Sequence, residues 1–131
     1  MSHRIRLAGP WEWCGIGDPQ EPLSKKTGCQ LPFTLAEDLC DAGVMLTRRF
    51  HRPTGIDDTT KMRIVLVASV KPTDVQLNGK TLPACESTDE SEYCFDLTGR
   101  AEPFNQLNVL LMPQTDTAAT LHAVWLEIMA Q

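Results

Sequence analysis

The stretch that decides the fold is residues 61–82, with the sequence KMRIVLVASVKPTDVQLNGKTL. Apolar residues recur at every second position in its first half, a spacing that is typical of a buried strand inside a β-sandwich. One face of this strand carries Met62, Ile64, Leu66, Ala68 and Val70, and the opposite face carries Val65 and Val67. We therefore expect a long strand with at least one fully dry face.

A tight turn is predicted near the end of the same stretch. Asn78-Gly79 separates two short segments, residues 75–77 and 81–82. Both central residues of a type I′ turn require a positive φ, which asparagine and glycine tolerate, so this dipeptide is a strong signal for a β-hairpin. The stretch thus predicts a strand followed by a hairpin, and it holds no residues that point to chemistry.

Length and composition indicate one globular domain. A chain of 131 residues can bury roughly two-thirds of the surface that it exposes when unfolded. The apolar share of 42% and the charged share of 22% are ordinary for globular proteins. We therefore expect residues 1–131 to form a single domain.

The charge balance argues against nucleic acid as a partner. The 17 acidic and 12 basic side chains give a net charge of −5, and the basic clusters are limited to Lys25-Lys26 and Arg48-Arg49 with Arg52. Proteins that grip phosphate backbones usually carry a basic patch. No stretch has the roughly 20 apolar residues that cross a bilayer, and the first residues lack a signal-peptide pattern. We expect a cytoplasmic protein without a membrane partner.

The cysteines favour free thiols. Five of them stand at positions 14, 29, 40, 85 and 94. The odd count, the wide spacing and the lack of a C-x-x-C pair argue against a zinc site or a redox motif. In a reducing compartment five free thiols are expected, several of them buried. Cys85 and Cys94 flank an acidic loop that can bring them close, so a disulfide between them is the open alternative.

Short apolar segments separated by turn residues recur along the chain. Those that read as strands are residues 5–7 with 11–13 (one edge-like segment interrupted at Gly9-Pro10), 44–51, 61–70, 75–77, 93–97, 107–111 and 120–129. A capping-box pattern, Thr34 with Glu37, predicts one short helix near residues 34–42. Seven or eight short strands joined by such turns predict an all-β fold, an antiparallel β-sandwich.

Five motifs, in this order, carry a resemblance to a known family. They are Gly9, Trp11 and Trp13 in a G-x-W-x-aromatic pattern, the arginine-bearing strand and proline of residues 46–53, V-x-L-N-G at 75–79, F-D-L-T at 95–98, and N-x-L-x-V at 105–109, which follows Phe104 where glycine is usual. The ordered set resembles the N-terminal jelly-roll domain of family-two glycoside hydrolases, within the galactose-binding-domain-like superfamily.

The resemblance implies a binding role rather than catalysis. In that family the catalytic carboxylates belong to a separate barrel domain, so the present chain is expected to be no enzyme. Related jelly rolls serve as carbohydrate-binding modules. The resemblance therefore implies a sugar-binding module, or a module accessory to sugar-processing enzymes.

One loop offers the groups that a sugar site needs, which are an exposed aromatic ring and nearby hydrogen-bonding side chains. Tyr93 adjoins Glu86, Asp89 and Glu92 in the acidic loop that precedes the segment 93–97. We take these four residues as the hypothetical ligand contacts. The alternative is that the loop is an ordinary solvated surface.

The three tryptophans are expected in the core rather than on a flat binding platform. Period-two spacing in the last segment places Trp125 on the face of Leu121 and Ala123. The first and last strands of such a roll commonly lie close together. We therefore expect Trp11 and Trp125 to pack inside, with Trp13 beside the loop that begins at Gly15.

No catalytic or metal site is predicted. His3, His51 and His122 are scattered without metal-ligand spacing, and the sequence contains no G-x-S-x-G or recognisable nucleophilic cysteine. No cofactor is expected. The acidic loop, or Asp38 with Asp41, leaves a structural calcium ion as an option, although neither spacing matches a defined calcium loop.

These observations favour a non-catalytic binding module with a carbohydrate as its ligand. The alternative is a protein-interaction or structural domain, a stand-alone relic of a glycosidase architecture that binds a protein partner or self-associates. A cytoplasmic chain with free thiols suits this alternative, because polysaccharide binders are usually secreted.

Overall fold

Alternating apolar side chains arrange the chain into two antiparallel β-sheets. The computed structural model describes residues 2–15, 26–35, 43–57, 59–86, 89–112 and 119–129, and all regular secondary structure in these ranges is β-strand. The strands are β1 (Ser2–Arg6), β2 (Trp11–Gly15), β3 (Lys26–Cys29), β4 (Phe33–Thr34), β5 (Val44–His51), β6 (Met62–Ala68), β7 (Asp74–Leu77), β8 (Lys80–Thr81), β9 (Ala84–Cys85), β10 (Glu92–Asp96), β11 (Phe104–Leu111) and β12 (Thr120–Met129). The predicted all-β sandwich is confirmed.

Each sheet contains six of these strands. Sheet 1 has the order β1-β12-β6-β10-β9, and β4 also pairs with β12; sheet 2 has the order β3-β2-β5-β11-β7-β8. The predicted long strand, β6, pairs with β12 on one side and with β10 on the other. It therefore occupies the interior of sheet 1, as its apolar faces require.

Side chains from both sheets meet in one apolar cluster. Sheet 1 contributes Met62, Ile64, Leu66, Ala68, Phe95, Leu121, Val124 and Leu126, and sheet 2 contributes Trp11, Val44, Leu46, Phe50, Val75, Leu77, Leu107, Val109 and Leu111. Burial of apolar surface contributes about 25 cal/mol per Å². The cluster is therefore the main source of stability for the sandwich.

The predicted hairpin is confirmed. β7 and β8 are joined at Asn78 and Gly79, whose φ angles are 54° and 84°. Two consecutive positive φ values are the geometry of a type I′ turn, whose twist matches that of the flanking strands. Gln76 then pairs with Thr81 across the hairpin.

Replacing Gly79 with alanine is expected to lower the free energy of unfolding by about 1 kcal/mol, because an L side chain is strained at positive φ. The added Cβ meets no atom within 4 Å, so conformational strain is the only cost. Urea unfolding followed by circular dichroism measures the change. Lys80→Ala, at the exposed next position, is the control and should change stability by less than about 0.5 kcal/mol. Equal stability of both variants would contradict the turn assignment.

A charged network lies on the outer face of sheet 1. Glu127 is 2% exposed, and its carboxylate accepts hydrogen bonds from Arg4 Nε and Arg63 Nε, each at 2.5 Å. Arg4 also reaches Glu92, with an N–O distance of 3.4 Å. Val65 belongs to this outer face and is nevertheless fully buried. The network thus forms a second layer over the sheet.

The register of the last strand overturns one prediction. Pairing of β12 with β6 shifts between Leu121 and Ala123, and both Leu121 and Val124 lie in the core. Trp125 consequently points to the outer face of sheet 1, where it is half-buried with the Arg6 guanidinium 5.7 Å from its ring centroid. The expected core position of Trp125 is wrong, because a bulge reverses the inside–outside alternation of a strand.

The first predicted segment proves to be two strands in different sheets. β1 lies at an edge of sheet 1, whereas β2 lies in sheet 2 between β3 and β5. Between them, Leu7 N donates to Val124 O at 2.9 Å, and Trp11 Nε1 donates to Leu7 O at 3.0 Å. Trp11 is completely buried, so its predicted core position is confirmed.

The short helix predicted near residues 34–42 falls mostly on residues 36–42, which lie outside the described part of the chain. Its first residue, Thr34, belongs to β4 and pairs with Thr120, and their hydroxyl oxygens lie 2.9 Å apart. Leu35 N donates to Ala119 O at 2.8 Å. The chain is therefore anchored to the start of β12 at this point.

Candidate functional site

The acidic loop that was predicted to contact sugar connects β9 to β10. Asp89 Oδ1 accepts hydrogen bonds from the backbone N and the hydroxyl of Ser91, both at 2.9 Å, and these bonds lower the pKa of Asp89. Glu92 N donates to Asp89 O at 3.1 Å. The carboxylate of Asp89 therefore stabilises the turn that leads into β10, while Glu86 is exposed.

Glu92 and Tyr93 lie on opposite faces of β10 because they are consecutive strand residues. Tyr93 is half-buried and packs against the core cluster. Glu92 points to the outer face, where it pairs with Arg4. The structure thus does not gather Tyr93, Glu86, Asp89 and Glu92 on one surface, and sugar contact at this loop stays a prediction.

The same hairpin brings two cysteines together. Cys85 and Cys94 are directly opposite in the β9–β10 pairing, as their positions around the loop predicted. Both are free thiols, as is Cys14. Burial, followed by the neighbouring Cys94, raises the pKa of Cys85. The thiol form of Cys85 is therefore favoured at neutral pH.

The tryptophans do not share a surface. Trp11 lies in the core, and Trp125 lies on the outer face of sheet 1. Trp13 is half-buried against the core cluster, with its ring centroid 5.7 Å from that of Phe33. A flat aromatic platform built from tryptophan is therefore not present in the described part of the chain.

A groove on the outer side of sheet 2 is the strongest candidate for a binding site. Its volume is about 300 Å³, which lies within the range of small-ligand sites. It is lined by Arg49, Phe50, His51, Asn78, Phe104, Asn105 and Gln106. These residues come from β5, β11 and the β7–β8 turn, so three consecutive strands of the sheet position them.

Two cross-strand pairs form the centre of this groove. Phe104 is opposite His51, and Gln106 is opposite Arg49, in the pairing of β11 with β5. The ring centroids of Phe104 and His51 lie 4.9 Å apart at an interplanar angle of 65°, an edge-to-face contact. Phe104 is 73% exposed, and it is the one large apolar side chain exposed in the described ranges.

Two asparagines fix the shape of the groove. Asn105 is 3% exposed, and its side chain bonds both backbone polar atoms of Glu102 at 2.8 Å. Asn78 Nδ2 donates to Asn105 Oδ1 at 3.2 Å, and Asn78 Oδ1 accepts from Gln106 N at 2.9 Å. Asn78 therefore ties the hairpin to β11, in addition to meeting the turn's need for positive φ.

A polar row continues the groove across the outer face. The pairings place Glu12, Thr47, Asn108, Gln76 and Thr81 side by side on β2, β5, β11, β7 and β8. Within the row, Thr47 Oγ1 donates to Asn108 Oδ1 at 2.8 Å. Asn108, at the middle of this row, is separated from Phe104 on the outer face of β11 only by Gln106.

Sequence reasoning did not select the groove, although one signal for it was visible. Phe104 stands where the resembled family usually has glycine, and a bulky residue at such a position indicates a local change of surface. His51 was read as a scattered histidine, and Arg49 as part of a basic cluster. Their juxtaposition depends on the β5–β11 register, which a single sequence does not reveal.

The described residues contain neither a cluster of metal-ligating side chains nor a helix that could cross a membrane. Within these ranges no group of three or more histidine, cysteine, aspartate or glutamate side chains could hold a metal ion. Asp38 and Asp41, which left a calcium ion as an option, lie outside the ranges. None of the described segments is a helix with the length and apolar character that a bilayer crossing requires.

Comparison with known proteins gives structural neighbours only. No family model matches the sequence, and no curated protein matches it. The fold is similar to an FMN-binding beta-glucuronidase from Facaelibacterium prausnitzii L2-6, with a TM-score of 0.71 and 18% sequence identity over 98% of this chain and 22% of that chain.

Two further enzymes show the same similarity. A beta-glucuronidase from Ruminococcus gnavus has a TM-score of 0.68 and 15% identity, over 98% of this chain and 28% of that one. A GH2 beta-galacturonidase from Eisenbergiella tayi has a TM-score of 0.70 and 16% identity, over 98% of this chain and 25% of that one. The chain therefore spans less than a third of each enzyme, and the resemblance to a family-two glycoside hydrolase domain is confirmed at the level of the fold.

Proposed function

We propose that this chain is a non-catalytic carbohydrate-binding module of one domain, and that its sugar lies in the groove beside Phe104. The observation that carries the proposal is the 73% exposure of Phe104 within a groove that is also lined by guanidinium and amide groups. Small-ligand sites are typically concave and combine aromatic side chains with a few polar groups that fix the ligand's orientation.

The chemistry of the groove suits a sugar ring. The C–H groups on one face of a pyranose are apolar and pack on an aromatic ring, while its hydroxyl groups point outward along the ring edge. Gln106 and Asn78, which line the same groove, offer amide donors and acceptors for such hydroxyls. The fold neighbours are named as glycosidases, which supports a carbohydrate as the ligand class.

The groove is favoured over the acidic loop because of where the side chains point. In the groove, the aromatic ring and its polar neighbours share one face of sheet 2. In the loop, Tyr93 packs against the core, whereas Glu92 pairs with Arg4 on the other face. A sugar ring at the loop would not reach both at once.

A glycan screen followed by calorimetry tests this function. Phe104→Ala is expected to weaken binding about tenfold, because covering part of an aromatic ring contributes about 1.4 kcal/mol. Glu86→Ala, on the acidic loop, is the matched control and should leave the affinity unchanged. If the folded protein binds no glycan, or if Glu86 matters and Phe104 does not, the proposal fails.

Self-association is the alternative that Phe104 also allows, since exposed aromatic residues are enriched at protein interfaces. Sedimentation of the wild type and of Phe104→Ala separates the two functions. A dimer that dissociates in the variant, together with a negative glycan screen, would establish an interaction domain instead.

A further inference from the structure

Arg49 differs from Arg4, Arg48 and Arg63 in how its guanidinium is engaged. Arg4 and Arg63 hold Glu127 at 2.5 Å, and Arg48 donates to the carbonyl oxygens of Ala8 and Arg49. The side chain of Arg49 is 65% exposed, and its ion pair with Glu12 is 3.7 Å long. This distance exceeds that of a charge-assisted hydrogen bond, which is about 2.7–2.9 Å.

Strand pairing places the positive charge of Arg49 near the aromatic ring of Phe104. Its cross-strand partner is Gln106, and the next outward pair along the same two strands is Phe104 with His51. Phe104 and Arg49 are thus diagonal neighbours on one face of the two strands, and such neighbours lie about 7–8 Å apart. A sugar ring that packs on Phe104 therefore has its edge within reach of the Arg49 guanidinium.

A second depression adjoins the groove and shares Arg49 with it. This depression has a volume of about 180 Å³ and is lined by Pro10, Glu12, Thr47, Arg48 and Arg49. Arg49 thus stands between two hollows on one face of the sheet. A ligand longer than one sugar ring can occupy both hollows and pass over the guanidinium.

We propose that the ligand is an acidic saccharide, in which a sugar ring packs on Phe104 and a ring carboxylate pairs with Arg49. This inference rests on the proposed function of the groove. A guanidinium offers parallel N–H donors that match a carboxylate in a bidentate arrangement. A uronic acid carries its carboxylate at the ring edge, next to the face that packs on an aromatic side chain.

Binding of an oligogalacturonide and of its methyl ester tests the proposal, because the ester keeps the ring and removes the charge. Calorimetry with the full chain is expected to show about tenfold tighter binding of the acid. Arg49→Gln should abolish this preference for the acid. Arg49→Lys should retain part of the preference, because lysine keeps the positive charge but lacks the paired N–H donors that bind a carboxylate in a bidentate arrangement.

Lys71→Gln supplies the control for net charge, since Lys71 is exposed on the connection that precedes β7. This variant should keep the full preference for the acid. Equal binding of acid and ester, a preference that survives Arg49→Gln, or tighter binding of a sulfated than of a carboxylated oligosaccharide would overturn the inference. Binding of neutral glycans alone would overturn the inference of an acidic ligand but would agree with the proposed carbohydrate-binding function. A glycan screen without any binding would contradict both proposals.

Discussion

Trp11→Ala is expected to lower the free energy of unfolding by about 4 kcal/mol, the range found when a large aromatic side chain is removed from a core. Trp11 is completely buried, and its indole N–H bonds the carbonyl of Leu7 at 3.0 Å. Leu7 in turn donates its backbone N–H to Val124 of sheet 1. The substitution leaves a cavity and removes the hydrogen bond to the Leu7 carbonyl at the point where the chain crosses between the sheets.

Chemical denaturation followed by circular dichroism measures this loss. Phe104→Ala is the control, because Phe104 is mostly exposed and its removal should change stability by less than about 0.5 kcal/mol. The loss in free energy of unfolding for Trp11→Phe should lie between those two values, since phenylalanine keeps most of the side-chain volume but cannot form the hydrogen bond. A cost below about 1 kcal/mol for Trp11→Ala would show that the crossing segment does not depend on this side chain.

Glu127→Ala is expected to cost about 2–3 kcal/mol at pH 7. The variant leaves two guanidinium groups without their carboxylate on the outer face of sheet 1. Removing one member of a buried ion pair commonly costs 3–5 kcal/mol. The expected value is lower here because the side chains of Arg4 and Arg63 are 36% and 27% exposed and can turn toward water.

The pH dependence of stability provides a second readout for Glu127. Burial opposes its ionisation, but hydrogen bonds from Arg4 and Arg63 prevail and hold its pKa below the ordinary value of 4.5. The unfolded chain therefore takes up the proton first on acidification. The stabilisation is complete above the ordinary pKa, and it is lost as the pH falls through the lowered pKa of the folded state.

Glu92→Gln is the matched control, because Glu92 pairs with the same Arg4 at a longer distance of 3.4 Å and is more exposed. Its cost should stay within the range of about 0–1 kcal/mol that is typical of surface ion pairs. In Glu127→Gln the acid-induced loss of stability should become shallower. A variant that keeps the slope of the wild type below pH 5 would refute the role given to Glu127.

The accuracy of the sequence-based predictions depended on how local their physical cause was. The hairpin was predicted correctly, because positive φ at Asn78 and Gly79 is a property of those two residues. The alternation of β6 was also predicted correctly, since a strand that is regular throughout keeps its period. The position of Trp125 was predicted wrongly, because the bulge in β12 arises from its pairing with β6 and the sequence of β12 alone does not show it.

The candidate site was beyond the reach of a single sequence for a similar reason. The acidic loop was predicted to contact sugar because Tyr93 and three carboxylates are close along the chain. Consecutive residues of a strand point to opposite faces, so closeness in sequence did not become closeness in space. Phe104 and Arg49 are 55 positions apart, and pairing of β11 with β5 brings them together.

The sequence by itself determined the fold class, the turn at Asn78-Gly79 and the burial of most apolar residues, because these follow from residue size, polarity and permitted backbone angles. Only the tertiary structure decided which sheet each strand joined, which side of β12 faced the core, and which polar residues met Phe104. These features depend on registers between strands that are distant in sequence, and a one-residue change of register moves every side chain to the other face.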